Sequence, residues 1–212
     1  MNFLRKDITI LPKIAECKRI FQAVAMLDAI LMPEWEYRYF SFNSKWDVDQ
    51  MMASMRDGGG DDFYGLFCKN GLIIKGFERF SPSDKSHASC DVNETNLYKG
   101  VPIEFKDFLN EPAFEIHHAT FCVWNTWVKE VWEATKTYKK SELYLLNVLL
   151  EGPKGYINWA SRYYEKEICS KAVQSVFDFE PIDQDLVSLL NSDITLEDIT
   201  EDAIEIDYPI LK

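Results

Sequence analysis

The chain reads as an α+β protein, with an antiparallel sheet of about four or five strands, an N-terminal helix on one face and a helical C-terminal third. Three observations lead there. Apolar residues recur at spacings of three and four between Pro12 and Pro33, short alternating runs separated by turn residues fill positions 36–77, and helical periodicity returns after Ser141. We expect a single domain over 1–212, with the sheet part in 1–140 and the helical part in 141–212.

Taken in order, Pro12 suits the first position of a helix because its missing N–H is one of the donors a helix start leaves unpaired. Cys17, Ile20, Val24, Leu27 and Leu31 form one apolar stripe, widened by Ile14 and Phe21, and Pro33 stops the helix near Met32. Glu36 to Phe42 is rich in aromatic residues and reads as a strand, with Trp46 in the turn after it. Met51 to Arg56 alternates, placing Met51, Ala53 and Met55 on one side of a second strand.

Asn70-Gly71 lies between two apolar runs and fits a two-residue hairpin turn. That register opposes Lys69 to Leu72 and Gly65 to Gly76, leaving a bare backbone spot beside Phe63, Phe67 and Ile74. A packed ring from elsewhere explains such a spot more simply than a ligand slot does. The loop before the hairpin carries Asp57, Asp61 and Asp62 beside Arg56 and three consecutive glycines. Crowded carboxylates can hold a cation or force one another's ionisation, yet the spacing matches neither a calcium loop nor a phosphate loop. Arg56, Asp57, Asp61, Asp62, Gly65 and Gly76 are therefore the candidate ligand-binding residues, against the plainer reading of a solvated loop.

Residues 81–100 form a polar excursion, a short helix after Pro102 uses Phe105, Phe108 and Leu109, and Thr120 to Trp124 is one further strand. Leu143 to Leu150 is a compact apolar segment ending at Gly152-Pro153. Tyr156, Trp159, Ala160, Tyr163 and Tyr164 then mark an aromatic helix face. Asp183 caps a helix that buries Leu186, Val187 and Leu190. Thr195 and Asp198 resemble a capping box ahead of a stripe of Leu196, Ile199, Ala203 and Ile206, with Pro209 ending that helix.

Composition limits the function. No apolar run with a cleavage site follows the first residues, and the segment Phe21 to Met32 is too short to span a bilayer and contains Asp28. Five scattered cysteines without a C-x-x-C fit a reducing compartment, so the expected location is the cytoplasm. The net charge of −12 is concentrated: residues 172–211 hold 11 acidic groups and no Lys or Arg, while positions 1–171 hold 24 acidic against 22 basic. Phosphate backbones would repel such a tail, so neither nucleic acid nor membrane is an expected partner, whereas a basic protein is. Glu197, Asp198, Glu201, Asp202 and Glu205 are the candidate partner-binding residues, set against plain solubility as the reason for the charge.

Chemistry finds less support. His87, Cys90, His118 and Cys122 could form a zinc site if their segments met, but paired cysteines are lacking and Cys122 lies in an apolar strand. No metal or other cofactor is expected. Adjacent His117 and His118 point apart in an extended segment, and no G-x-S-x-G elbow occurs.

The segments MASMRDGGGDDF, IIKGF, FLNEPAF, TFCVW and WASRYYE together resemble an uncharacterised family of bacterial cytosolic proteins. The family pattern has a serine among the loop glycines where this chain has Gly59. The resemblance spans most of the chain and implies one unit, without naming an activity. The expected function is a cytosolic protein-binding module of immunity or antitoxin type, acting through the acidic C-terminal surface. The alternative is a small-molecule-binding or metal-dependent enzyme using the Arg56 to Asp62 loop. The sequence fixes neither the oligomeric state nor whether the protein is an enzyme.

Overall fold

The computed structural model describes residues 8–79 and 97–211. Among these residues six strands, β1 (Phe40–Asp47), β2 (Gln50–Arg56), β3 (Asp62–Cys68), β4 (Gly71–Phe77), β5 (Phe121–Thr126) and β6 (Trp132–Glu133), form one sheet. They pair antiparallel in chain order. The helices are α1 (Ile14–Leu31), α2 (Lys106–Asn110), α3 (Val148–Tyr163), α4 (Ser170–Phe177), α5 (Gln184–Leu190) and α6 (Thr200–Ile206). This is the α+β class expected, with two-residue β6 as the extra strand.

Helix α1 forms where its two flanking prolines place it, but its role is larger than one stripe predicts. Every residue from Phe21 to Leu31 is buried. A helix buried all round is an inner layer, and α1 lies between the sheet and the C-terminal helices. Side chains from those helices and their connections satisfy its terminal carbonyls: Asn191 donates to Ile30 O at 2.8 Å and Lys166 to Leu31 O at 3.3 Å. In return, buried Gln22 of α1 donates to Ile206 O and Asp207 O at the end of α6.

Strand β1 starts later than its aromatic content suggests. Trp35–Tyr37 form a 3-10 turn, because Arg38 donates to Met32 O and Pro33 O at 2.8 Å and folds the connection back on the helix end. The strand then runs on through Trp46, which stacks on Phe114 with ring centres 5.6 Å apart.

The hairpin register differs by two residues from the one the Asn70-Gly71 pattern predicts. Cys68 opposes Gly71, Phe67 opposes Leu72 and Gly65 opposes Ile74, so Lys69 and Asn70 occupy the turn. An even shift keeps each side chain on its expected face but separates the two glycines. Gly71 is required by the next strand instead, since a Cβ there would lie 2.0 Å from Asn125 O. Gly76 opposes Phe63, and a Cβ on it would lie 2.4 Å from the Phe121 ring. The bare backbone is therefore covered from inside the protein.

Both faces of the sheet are covered. The larger core joins one face to α1 and the C-terminal helices, and a smaller one packs Leu66, Ile73, Cys122 and Trp124 against Phe105, Phe108 and Phe114 of the β4–β5 connection. Among the described residues no helix is long and apolar enough to cross a membrane.

Replacing Gly76 with Ala should destabilise the protein by about 1–3 kcal/mol through overpacking against Phe121. Adding Phe121→Leu should recover part of the loss in urea denaturation, because the two changes share one contact. Strictly additive losses would show that the glycine does not serve this ring.

Candidate functional site

The site is built around a carboxylate that an apolar helix ordinarily excludes. Asp28 is fully buried in α1. Its Oδ2 accepts from Tyr39 N at 3.0 Å and Phe40 N at 2.7 Å, and its Oδ1 accepts from the Tyr156 hydroxyl at 2.6 Å. These three donors favour the ionised form, yet loss of hydration outweighs them and the carboxyl is pushed up to about 6. The same charge joins burial in raising the Tyr164 phenol, whose buried hydroxyl has no hydrogen-bond partner among the described residues.

All three donors belong to residues that line one cavity. Its volume is about 220 Å³, and its walls are Tyr39 and Phe40 at the start of β1, Met55 of β2, and Tyr156 and Trp159 of α3. Tyr144, Leu145, Asn147, Val148, Glu151 and Gly155 complete the lining. Trp159 organises the rings, with centres 4.4 Å from Tyr39, 5.2 Å from Phe40 and 5.5 Å from Tyr156. The aromatic face read from the sequence of α3 thus packs edge and face against β1 rather than lying on a flat surface. Asn147, at the start of α3, has a buried Oδ1 with no hydrogen-bond partner among the described residues.

A break in α3 shapes the mouth. Gly152 takes a non-helical conformation (φ 57°, ψ −152°) with Pro153 after it. The chain turns there so that Glu151 folds over Gly155, where a Cβ would stand 2.2 Å from Glu151 Cβ and 2.8 Å from its Oε2. Gly152-Pro153, read in sequence as the end of a helix, is a joint within one.

The residues singled out in the loop separate. Asp57 Oδ1 accepts from the amides of Gly59, Gly60 and Asp61, and Asp61 Oδ1 accepts from Arg79 N at 2.7 Å. The Asp57 and Asp61 charges reach the cavity wall, where they join burial in raising the Tyr39 phenol. Arg56 projects to the other face of the sheet, over the Trp35 ring at 4.8 Å. Asp62 also faces that way and pairs with fully buried Lys75 at 3.0 Å. Gly65 packs under Ile74, and Gly76 lies beneath Phe121.

Lys75 further donates to His118 O at 2.9 Å and sits 4.9 Å from the Tyr64 ring. Burial lowers the Lys75 ammonium and raises the Asp62 carboxyl, each opposed by the other. Asp62, Glu115 and His118 offer ligand atoms within 4.8 Å of one another. A divalent cation there would meet the Lys75 ammonium that already occupies Asp62, which weakens the set as a metal centre. His118 stacks on Phe77 at 3.5 Å between ring centres, while Cys122 is buried in the smaller core with its thiol pushed up by burial. His87 and Cys90 lie outside the described residues.

At the C-terminus, the Arg38 guanidinium donates to both oxygens of the Asp202 carboxylate, to Oδ2 at 3.0 Å. Asp198 accepts from Thr195 N and Oγ1, which holds its carboxyl below the usual range. Glu197 and Asp198 precede α6 rather than lying on it. Glu197, Glu201 and Glu205 are exposed, and partial burial raises the Glu205 carboxyl. Sequence reasoning passed over Asp28 and Glu78 as functional groups. Asp28 carried a signal, a lone acid inside an apolar helix; Glu78 follows β4 directly and had none. Glu78 is buried with neither carboxylate oxygen hydrogen-bonded among the described residues, and burial, then Asp61 and Glu142, push it up to about 7.

No family model matches the chain, and no curated protein or solved structure is similar to it.

Both raised carboxyls bind a proton more tightly in the folded than in the unfolded chain, so each adds stability as pH falls. For Glu78 the window runs from about 7 down towards 4.5, and for Asp28 from about 6 towards 3.8. Asp28→Asn should remove roughly 1 kcal/mol of the gain seen on going from neutral pH to about pH 5. Urea midpoints measured across this range check it, and an unchanged slope in the variant would contradict the assignment.

Proposed function

We propose that the protein binds a small organic molecule in the aromatic cavity between β1 and α3. The observation that carries this reading is the cavity itself: about 220 Å³, walled by ring faces and bordered by a polar side chain, Asn147, with an unpaired acceptor. Cavities of this composition are the usual form of a ligand site, and the volume lies below the ~300–1,000 Å³ of drug-sized pockets. A ligand of one ring or a short branched chain matches it. The walls come from the start of β1 and from α3, held together by Asp28, so the cavity is largely formed before any ligand arrives.

This reading moves the small-molecule alternative from the Arg56 to Asp62 loop to its neighbour. Asp57 and Asp61 contribute charge at the cavity edge, and Arg56 and Asp62 serve the other face of the sheet. The protein-binding reading has less support, because two of its five carboxylates, Asp198 and Asp202, already have partners within the chain. A binding role fits the cavity better than catalysis, since Asp28, its one deeply buried acid, is fully enclosed and committed to three donors.

Benzylamine, benzyl alcohol and benzoate are suitable one-ring probes. At least one should shift the Gly155 and Tyr156 amide resonances in a saturable titration, and Val148→Phe, which fills the cavity, should abolish the shift while leaving the fold intact. Three probes that leave these resonances unmoved at millimolar concentration would rule the reading out.

A further inference from the structure

We infer that the cavity selects a positively charged ligand bearing N–H groups, an alkylammonium or guanidinium attached to an apolar or aromatic body, and that Glu151 is its counter-ion. The inference rests on the cavity being a ligand site. It follows from the chemistry of the walls, which offer ring faces and one carboxylate and no cation.

None of the lining residues is Lys, Arg or His. The charges that reach the cavity are all negative: Glu151 at the mouth, and Asp57 and Asp61 beyond Tyr39. An anionic ligand would meet repulsion from each with no cation among the lining residues to offset it, so charge complementarity disfavours carboxylates and phosphates. The ring faces of Tyr39, Tyr156 and Trp159 attract a cation through their quadrupoles, an attraction that strengthens as water is removed. The Glu151 carboxylate can accept from the ligand's N–H bonds, and Asn147, whose buried Oδ1 has no hydrogen-bond partner among the described residues, borders the same space.

The helix break gives this arrangement a structural cause. Glu151 stands just before the turn at Gly152, which brings it over Gly155, and a Cβ at 155 would stand 2.2 Å from Glu151 Cβ, so only glycine there lets Glu151 take this place. Gly155 therefore acts as a positioning residue for Glu151, and the pair forms an acidic rim over an aromatic well.

The three one-ring probes separate this inference from the one beneath it. With isothermal titration calorimetry at low salt, benzylamine should bind at least about tenfold more tightly than benzyl alcohol, and benzoate most weakly. Glu151→Gln, an exposed change that leaves the fold alone, should cut the ratio of benzylamine to benzyl alcohol affinity several-fold. Gly155→Ala, whose Cβ would press on Glu151 Cβ, should lower the same ratio by displacing Glu151. Equal affinity for benzylamine and benzyl alcohol would overturn the charge selectivity and leave cavity binding standing. A benzylamine preference that survives both variants would overturn the role of Glu151, and binding of none of the three would overturn both inferences.

Discussion

A charged carboxyl group in the middle of a buried helix is the constraint around which this fold is arranged. Asp28 is fully buried, and an isolated carboxylate in such surroundings would be strongly destabilising. The chain brings it three donors from two places distant in sequence, the amides of Tyr39 and Phe40 and the hydroxyl of Tyr156. Meeting that need ties the entry of β1 and the middle of α3 to the same point of α1. The cavity is the space left between two elements that the carboxylate holds at fixed distance. A fully apolar residue at this position could pack the helix, but it would leave two backbone N–H groups at the entry of β1 without partners.

The opposite face of the sheet is organised by a second buried charge, with a different result. Lys75 is matched by Asp62 and by a backbone carbonyl, and rings close over the remainder. Its donors find acceptors and its neighbours leave no well, so the pair acts as a polar pin through the smaller core.

The layout of the sequence was readable because periodicity reports which side of an element is buried. It placed α1, β2, β3, β4, β5, the short helix after Pro102 and the capped α5 close to where they lie. It was poorer at register and depth. The hairpin turn moved by one residue, and the register by two, because Gly71 is demanded by close approach of β5, a contact 54 residues away in the chain that no local turn pattern encodes. Likewise, the stripe on α1 identified one buried face, while burial of the others depended on how the C-terminal helices return over it.

The site was legible only in fragments. The aromatic face of α3 was visible, but its partner wall at Tyr39 and Phe40 was read as the middle of a strand. Asp28 was noticed only as a charge unsuited to a membrane span, although an acid inside an apolar helix is itself a sign of buried donors to be met. The joint at Gly152-Pro153 looked like a terminus because both residues end helices more often than they bend them. The most direct measurement of the central claim is amide hydrogen exchange at Tyr39 and Phe40. If Asp28 anchors the entry of β1, both amides exchange nearly as slowly as those of β3 and β4, and Asp28→Ala releases these two while the sheet centre stays protected. Fast exchange at Tyr39 and Phe40 in the unaltered protein would contradict the account.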